Sequence, residues 1–165
     1  MGRAMRGRAG ERGLTAVEAA AAFAVLGVAL AAIAPACVRS IRLARTAEAI
    51  DSLKQLSDAT VASLSEGTKL ASAPLTPALV PRGEQQLDPS GTWNHPTWRA
   101  LHFGFEEPHW YAYRVDVDAT TGAVRLVALG DLDGDGVTST FLREVDRTPA
   151  GPVAREGVVT SAELE

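Results

Sequence analysis

Thiols are almost missing from this chain. Cys37 is the one cysteine among 165 residues, which excludes an intramolecular disulfide, and without a CxxC pair there is no thiolate seat for zinc. Glycine-rich phosphate loops and nucleophile motifs are lacking too. The three histidines, His95, His102 and His109, recur at intervals of seven without a recognised zinc spacing. They read as packing or surface side chains, and catalysis is not indicated. Basic charge is thin beyond the first residues. Arg3, Arg6, Arg8 and Arg12 against Glu11 give residues 1–13 a charge of +3, leaving −7 on the remainder of a chain whose net charge is −4. An acidic body argues against nucleic-acid binding. Disorder is excluded as well, because 46% of the residues are hydrophobic and 22% charged.

What the chain does have is a long apolar run. Residues 19–38 contain no charged or strongly polar side chain, and ten of the twenty are alanine. As a helix they would span about 30 Å, the thickness of a bilayer's hydrocarbon core. Phe23, Val25, Leu26, Val28, Leu30, Ile33 and Val38 supply most of the driving force. Beyond Val38 the apolar character narrows to a stripe. Leu43, Ala47, Ile50, Leu53, Leu56 and Leu64 follow at three- and four-residue steps, with Thr60 keeping the phase, and Arg39, Arg42, Arg45, Asp51, Lys54 and Asp58 take the other faces. This predicts an amphipathic helix capped near Gly67. Continuous with the apolar run, it makes residues 14–66 one helix of roughly 80 Å.

Residues 67–100, punctuated by Pro74, Pro77, Pro81, Pro89 and Pro96, read as loop. The period then becomes two. Residues 109–118, 123–130 and 137–145 read as three strands of an antiparallel meander, and the polar tail from Arg147 as one short strand around Val158 and Val159 before fraying. The expected fold class is α+β. It comprises a leader (1–13), the apolar and amphipathic halves of one helix (14–38 and 39–66), a globular head (67–146) and a tail (147–165).

The segment Arg12-Gly13-Leu14-Thr15-Ala16-Val17-Glu18, followed directly by the apolar run, resembles the processing site of type IV prepilins and type II secretion pseudopilins. In that family a basic leader ends in glycine, cleavage follows it, and the fifth mature residue is glutamate. The resemblance implies cleavage between Gly13 and Leu14 by a prepilin peptidase, with methylation of the new N-terminus. It implies a single-pass protein of the bacterial inner membrane with its head outside the cytoplasm. Such a subunit meets the lipid bilayer, an inner-membrane assembly platform and other pilin or pseudopilin subunits, and then joins a pilus or pseudopilus. Leu14 stands where phenylalanine is usual. Pro35 falls where the family's helix kink is usual; it removes one intrahelical N–H bond and clashes with the carbonyl of Ala31. Glu18 would cost roughly 2.5–3.5 kcal/mol inside a membrane helix and needs a partner. The freed α-amine of Leu14, on its own chain or a neighbour's, would provide one and fix the register of assembly.

A rival reading takes Ala34-Pro35-Ala36 before Cys37 as a small-residue export-cleavage site or lipid-attachment site. Under it the mature chain is a calcium-binding module outside the cytoplasm. The calcium expectation rests on Asp131-Leu132-Asp133-Gly134-Asp135-Gly136, with oxygens at steps one, three and five and then a glycine. The carbonyl of Val137 and the hydroxyl of Ser139 would continue the set. The twelfth position is Leu142, so the bidentate acid is missing and affinity would be weak. The other reading of the same stretch is a solvated Asp/Gly hairpin loop.

Overall fold

The computed structural model describes residues 15–162, apart from the side chains of residues 34–36 and 38. It is α+β, an N-terminal apolar helix followed by a short helix and an antiparallel sheet of six strands. Two compact units divide the chain, Met1–Val38 and Arg39–Glu165.

Helix α1, Ala16–Ser65, runs without a break, including at Pro35. It ends as its sequence foretells. Gly67 takes φ +83°, its N–H reaches the Leu64 carbonyl, and the Thr68 N–H reaches that of Ser63. This paired closure needs a left-handed residue, which glycine supplies at no steric cost.

In the second unit the buried face of α1 departs from the expected stripe before Leu53 and follows it from Leu53 onward. Leu43, Ala47 and Ile50 are exposed, whereas Thr46, Ala49, Leu53, Leu56, Thr60 and Leu64 are buried. The reason lies in the threonines. The Thr46 hydroxyl donates to the Arg42 carbonyl and the Thr60 hydroxyl to that of Leu56. With its hydroxyl satisfied one turn back, a threonine packs as a small branched apolar side chain. Hydropathy therefore drew the stripe about a quarter-turn off in the first half of this segment.

Against that face lies the sheet. Strands β2 (Tyr111–Val117), β3 (Val124–Gly130) and β4 (Ser139–Thr148) form the expected meander. In register, Tyr111 faces Gly130 and Gly130 faces Ser139. Tyr111, Tyr113, Val115, Val124, Leu126, Ala128, Phe141 and Val145 join Ala49, Leu53, Leu56 and Leu64 of α1 in one core. On the opposite face Glu144 is paired with Arg125 and Arg155, and Asp146 with Arg155, all charge pairs with solvent access.

Four further elements follow, three of them where loop or frayed tail was expected and the last at the short strand expected around Val158 and Val159. Strand β1 (Ala73–Thr76) adds to the edge of β2, where proline's missing N–H is tolerated. Helix α2 (Pro96–Ala100) has proline in its first turn and the His95 side chain accepting the Thr97 N–H at 3.3 Å. In the tail, β5 (Gly151–Ala154) and β6 (Val159–Ser161) pair end to end along the outer edge of β4. Trp98 of α2 is fully buried and donates its indole N–H to Thr76 at 2.9 Å, closing the core's open end.

Candidate functional site

Two places carry the chemistry that the sequence singled out: the start of α1, and the turn between β3 and β4. Gly13 and Leu14 lie outside the described residues. The first described contact belongs to Thr15 and Glu18. One carboxylate oxygen of Glu18 accepts the Thr15 N–H at 2.8 Å and the Thr15 hydroxyl at 2.8 Å, while the Glu18 N–H reaches the Thr15 hydroxyl oxygen at 3.3 Å. The Ala19 N–H meets the Thr15 carbonyl at 3.0 Å, so the helical ladder opens there. This is a reciprocal capping box. Sequence reasoning gave Glu18 an amine as partner and missed the Thr15-x-x-Glu18 spacing, which was legible as a helix start.

From Ala16 to Ile33 runs an 18-residue window with mean hydropathy 2.2, none of it buried. It is long and apolar enough to cross a membrane or to serve as a signal sequence. Val17 is 79% exposed, Phe23 72% and Val28 73%. Each such side chain forgoes about 1.5–3 kcal/mol that burial would return, so water is the wrong solvent for this surface. Glu18 is the one charged residue in the window, and its carboxylate is held by Thr15 instead of standing alone. The side chain of Pro35 lies outside the described residues; Cys37 is a free, exposed thiol.

At the β3–β4 turn the three aspartates come together. Ligand-capable oxygens of Asp131, Asp133 and Asp135 lie within 4.8 Å of one another, an arrangement that could hold a metal ion. The turn makes this proximity, because each carboxylate accepts backbone N–H groups further along it. Asp131 takes those of Gly134 (2.8 Å) and Gly136 (3.1 Å), Asp133 that of Asp135 (3.2 Å) and Asp135 that of Val137 (2.7 Å). Gly134 adopts φ +79°, which a Cβ would penalise. Cations of the chain itself already attend the site. Arg42 meets Asp133 at 3.0 Å and Arg82 lies 3.5 Å from Asp131.

Asp131 is buried; Asp133 and Asp135 are exposed. The Ser139 hydroxyl is buried and donates to the Gly130 carbonyl at 3.1 Å. It belongs to the first residue of β4, and no contact places it with the carboxylates. Arg45, one turn along α1 from Arg42, extends the same contact: its guanidinium donates to the Leu132 carbonyl at 3.3 Å and lies 3.9 Å over the Trp110 ring.

The histidines part company. His95 caps α2, and His102 sits just past its end at φ +49°. His109 is buried and bonded to Asp88 at 2.9 Å; nothing in the sequence marked that pair, which is 21 residues apart. Glu48 of α1 also turns inward. It accepts the Trp110 N–H at 2.8 Å, and burial holds its carboxyl above the ordinary glutamate range.

No family model matches this chain, and neither a curated protein nor a solved structure does.

Proposed function

We propose that this chain is a structural subunit of a type IV pilus-like or type II secretion pseudopilus filament. It is made as a precursor, cut between Gly13 and Leu14, and held in the bacterial inner membrane by the first half of α1. It then polymerises through that helix, with an α+β head of pilin-like arrangement outside the cytoplasm. The role is structural and not catalytic; its partners are a prepilin peptidase, an assembly platform and other subunits. The observation that carries the reading is the apolar surface from Ala16 to Ile33, none of it buried and broken by one acid near its start. Such a surface wants lipid or sibling helices around it, and its alanines allow helices to approach closely. The chain's own motif, Arg12-Gly13-Leu14 ahead of Glu18, supports precursor cleavage at that point.

N-terminal sequencing of the protein recovered from its native membrane tests the reading. A mature chain beginning at Leu14, methylated or not, supports it. One beginning at Cys37 replaces it with an exported or lipid-anchored module.

Calcium belongs to this reading as a ligand of Asp131, Asp133 and Asp135. Oxygen donors alone suit a hard cation, and three carboxylates within one turn repel one another without compensation. Arg42 and Arg82 already furnish part of that compensation, so calcium would have to displace them and would bind weakly.

A further inference from the structure

His109 and Asp88 have side chains that are each 1% exposed, and Nε2 of the ring lies 2.9 Å from Oδ2 of the carboxylate. The other ring nitrogen, Nδ1, lies 2.8 Å from the carbonyl oxygen of Tyr111. A carbonyl oxygen can only accept, so Nδ1 bears a proton. Asp88 is surrounded by donors: its Oδ2 also receives the Trp93 indole N–H at 2.8 Å, and its Oδ1 the Gln86 side-chain amide at 3.0 Å. The Nε2–Oδ2 contact needs a proton of its own. A neutral imidazole brings one, and Tyr111 has already taken it.

We propose that Asp88 and His109 form a proton-operated pin, which fastens residues 86–93 to the head of β2 while it holds one proton more than a neutral ring and a carboxylate would. That proton sits on the ring or on the carboxyl; in both cases the pair is neutral and every atom is bonded. Removing it leaves a ring lone pair and a carboxylate oxygen facing each other out of reach of water, two acceptors without a donor. The bond then opens.

The parts it fastens are visible. Gln86 and His109 exchange both backbone bonds, at 2.9 and 3.0 Å. Trp93, which the pin also holds, packs against Trp98, Phe103, Phe105 and Tyr113. Phe105 stacks on the His109 ring at 4.5 Å. The charged and titratable groups around the ring are few. Glu48 approaches from α1 and is coupled electrostatically to His109, Arg45 of the same helix covers Trp110, and the buried phenols of Tyr111 and Tyr113 belong to β2. None of these supplies Nε2 with a donor.

Linkage gives the sign. A native state that binds one proton more than the unfolded chain is weakened as pH rises, by up to about tenfold in the folding constant per pH unit, beginning where free imidazole loses its proton near about 6.5. The test uses the full chain in detergent micelles, with urea unfolding and ring ¹⁵N spectra of His109 from about pH 6 to 9. Wild type should show both ring nitrogens protonated or sharing a proton with Asp88 at the lower end, and a folding constant that falls with pH. Asp88→Asn is the discriminating variant. Its amide donates to Nε2, so a neutral ring suffices; the protein should be weaker, because Trp93 loses an acceptor, yet its pH profile should be flat. A bare Nε2 facing an ionised Asp88 at about pH 6, read from the Asp88 carboxyl ¹³C shift beside the ring ¹⁵N spectra, with residues 86–93 still protected from hydrogen exchange, overturns the proposal, as does a slope shared by wild type and Asp88→Asn. If that variant does not fold, the wild-type ring spectra decide alone.

Discussion

Arg42 on α1 and Asp133 in the β3–β4 turn, 91 residues apart, meet at 3.0 Å with each side chain about a quarter exposed. The contact is an ion pair and also a rival to any metal. As a partly solvated pair it is worth about 0.2–1 kcal/mol, so Arg42→Ala should lower the melting temperature only slightly. The same change frees one carboxylate of the acidic turn. Calcium titrated into this variant should act at lower concentration than in wild type, where the expected range is about 10⁻⁴–10⁻³ M. Calorimetry reads both. Should neither protein give heat or thermal stabilisation at millimolar calcium, the aspartates are a turn motif and nothing more.

Gly130 is expected to be the least replaceable residue of the sheet. A Cβ built there would run into the ring carbons of Tyr111, which is fully buried and opposite it in register. Neither strand has room to retreat, since Gly130 pairs on its other side with buried Ser139. Gly130→Ala should therefore destabilise the head by about 1–3 kcal/mol, the usual cost of overpacking. Tyr111→Phe would relieve little, because the clash is with ring carbons and not with the hydroxyl. Urea unfolding of the two single variants and the double variant checks this.

Much of this fold was readable from periodicity, and the failures have identifiable causes. Tyr111, Tyr113 and Val115 alternate cleanly because one face of β2 meets the core, and that period is hard to miss. Thr46 was missed because a hydroxyl bonded one turn back is polar in composition and apolar in packing, whereas Thr60, bonded the same way, was rightly kept in the stripe. Strand β1 hid among prolines that an edge strand accepts. The aspartate cluster was legible because its three carboxylates are neighbours in sequence. Arg42, Arg82 and the Asp88–His109 pair were not, since tertiary folding alone brings them to their partners.

Glu48 should give the head a pH dependence that can be removed by one substitution. Burial holds its carboxyl above the ordinary value, against the Trp110 N–H, which pulls the other way. A carboxyl raised in the folded state stabilises fully below the unfolded value of about 4.3 and loses that contribution as pH climbs through the folded one. Glu48→Gln keeps an acceptor for the Trp110 N–H and carries no charge. Its stability should gain on wild type as pH rises from about 4.3 toward neutrality. Asp118 should do the reverse. Its carboxylate is lowered by the Thr121 and Thr120 N–H groups, so Asp118→Asn should cost stability near neutral pH, a cost that fades in acid. Parallel unfolding curves for wild type and both variants at several pH values would reveal either sign as wrong.

Thr15 and Glu18 permit a separation of two roles that one residue would otherwise confound. If the carboxylate serves only to cap α1, Thr15→Ala and Glu18→Ala should resemble each other, each removing half of the box at about 0.5–2 kcal/mol of helix stability. If it also sets register by meeting the amine of a neighbouring chain, the two must diverge. Thr15→Ala then keeps a carboxylate free to pair and should still enter filaments, whereas Glu18→Ala and Glu18→Gln should both insert in the membrane and fail to incorporate. Glutamine is the sharper probe, because it can still accept hydrogen bonds from Thr15 yet brings no charge to an ammonium group. Quantifying each variant in sheared filaments against its level in the membrane fraction gives the comparison, and equal incorporation of Glu18→Gln and wild type would leave the capping box as the whole of Glu18's work.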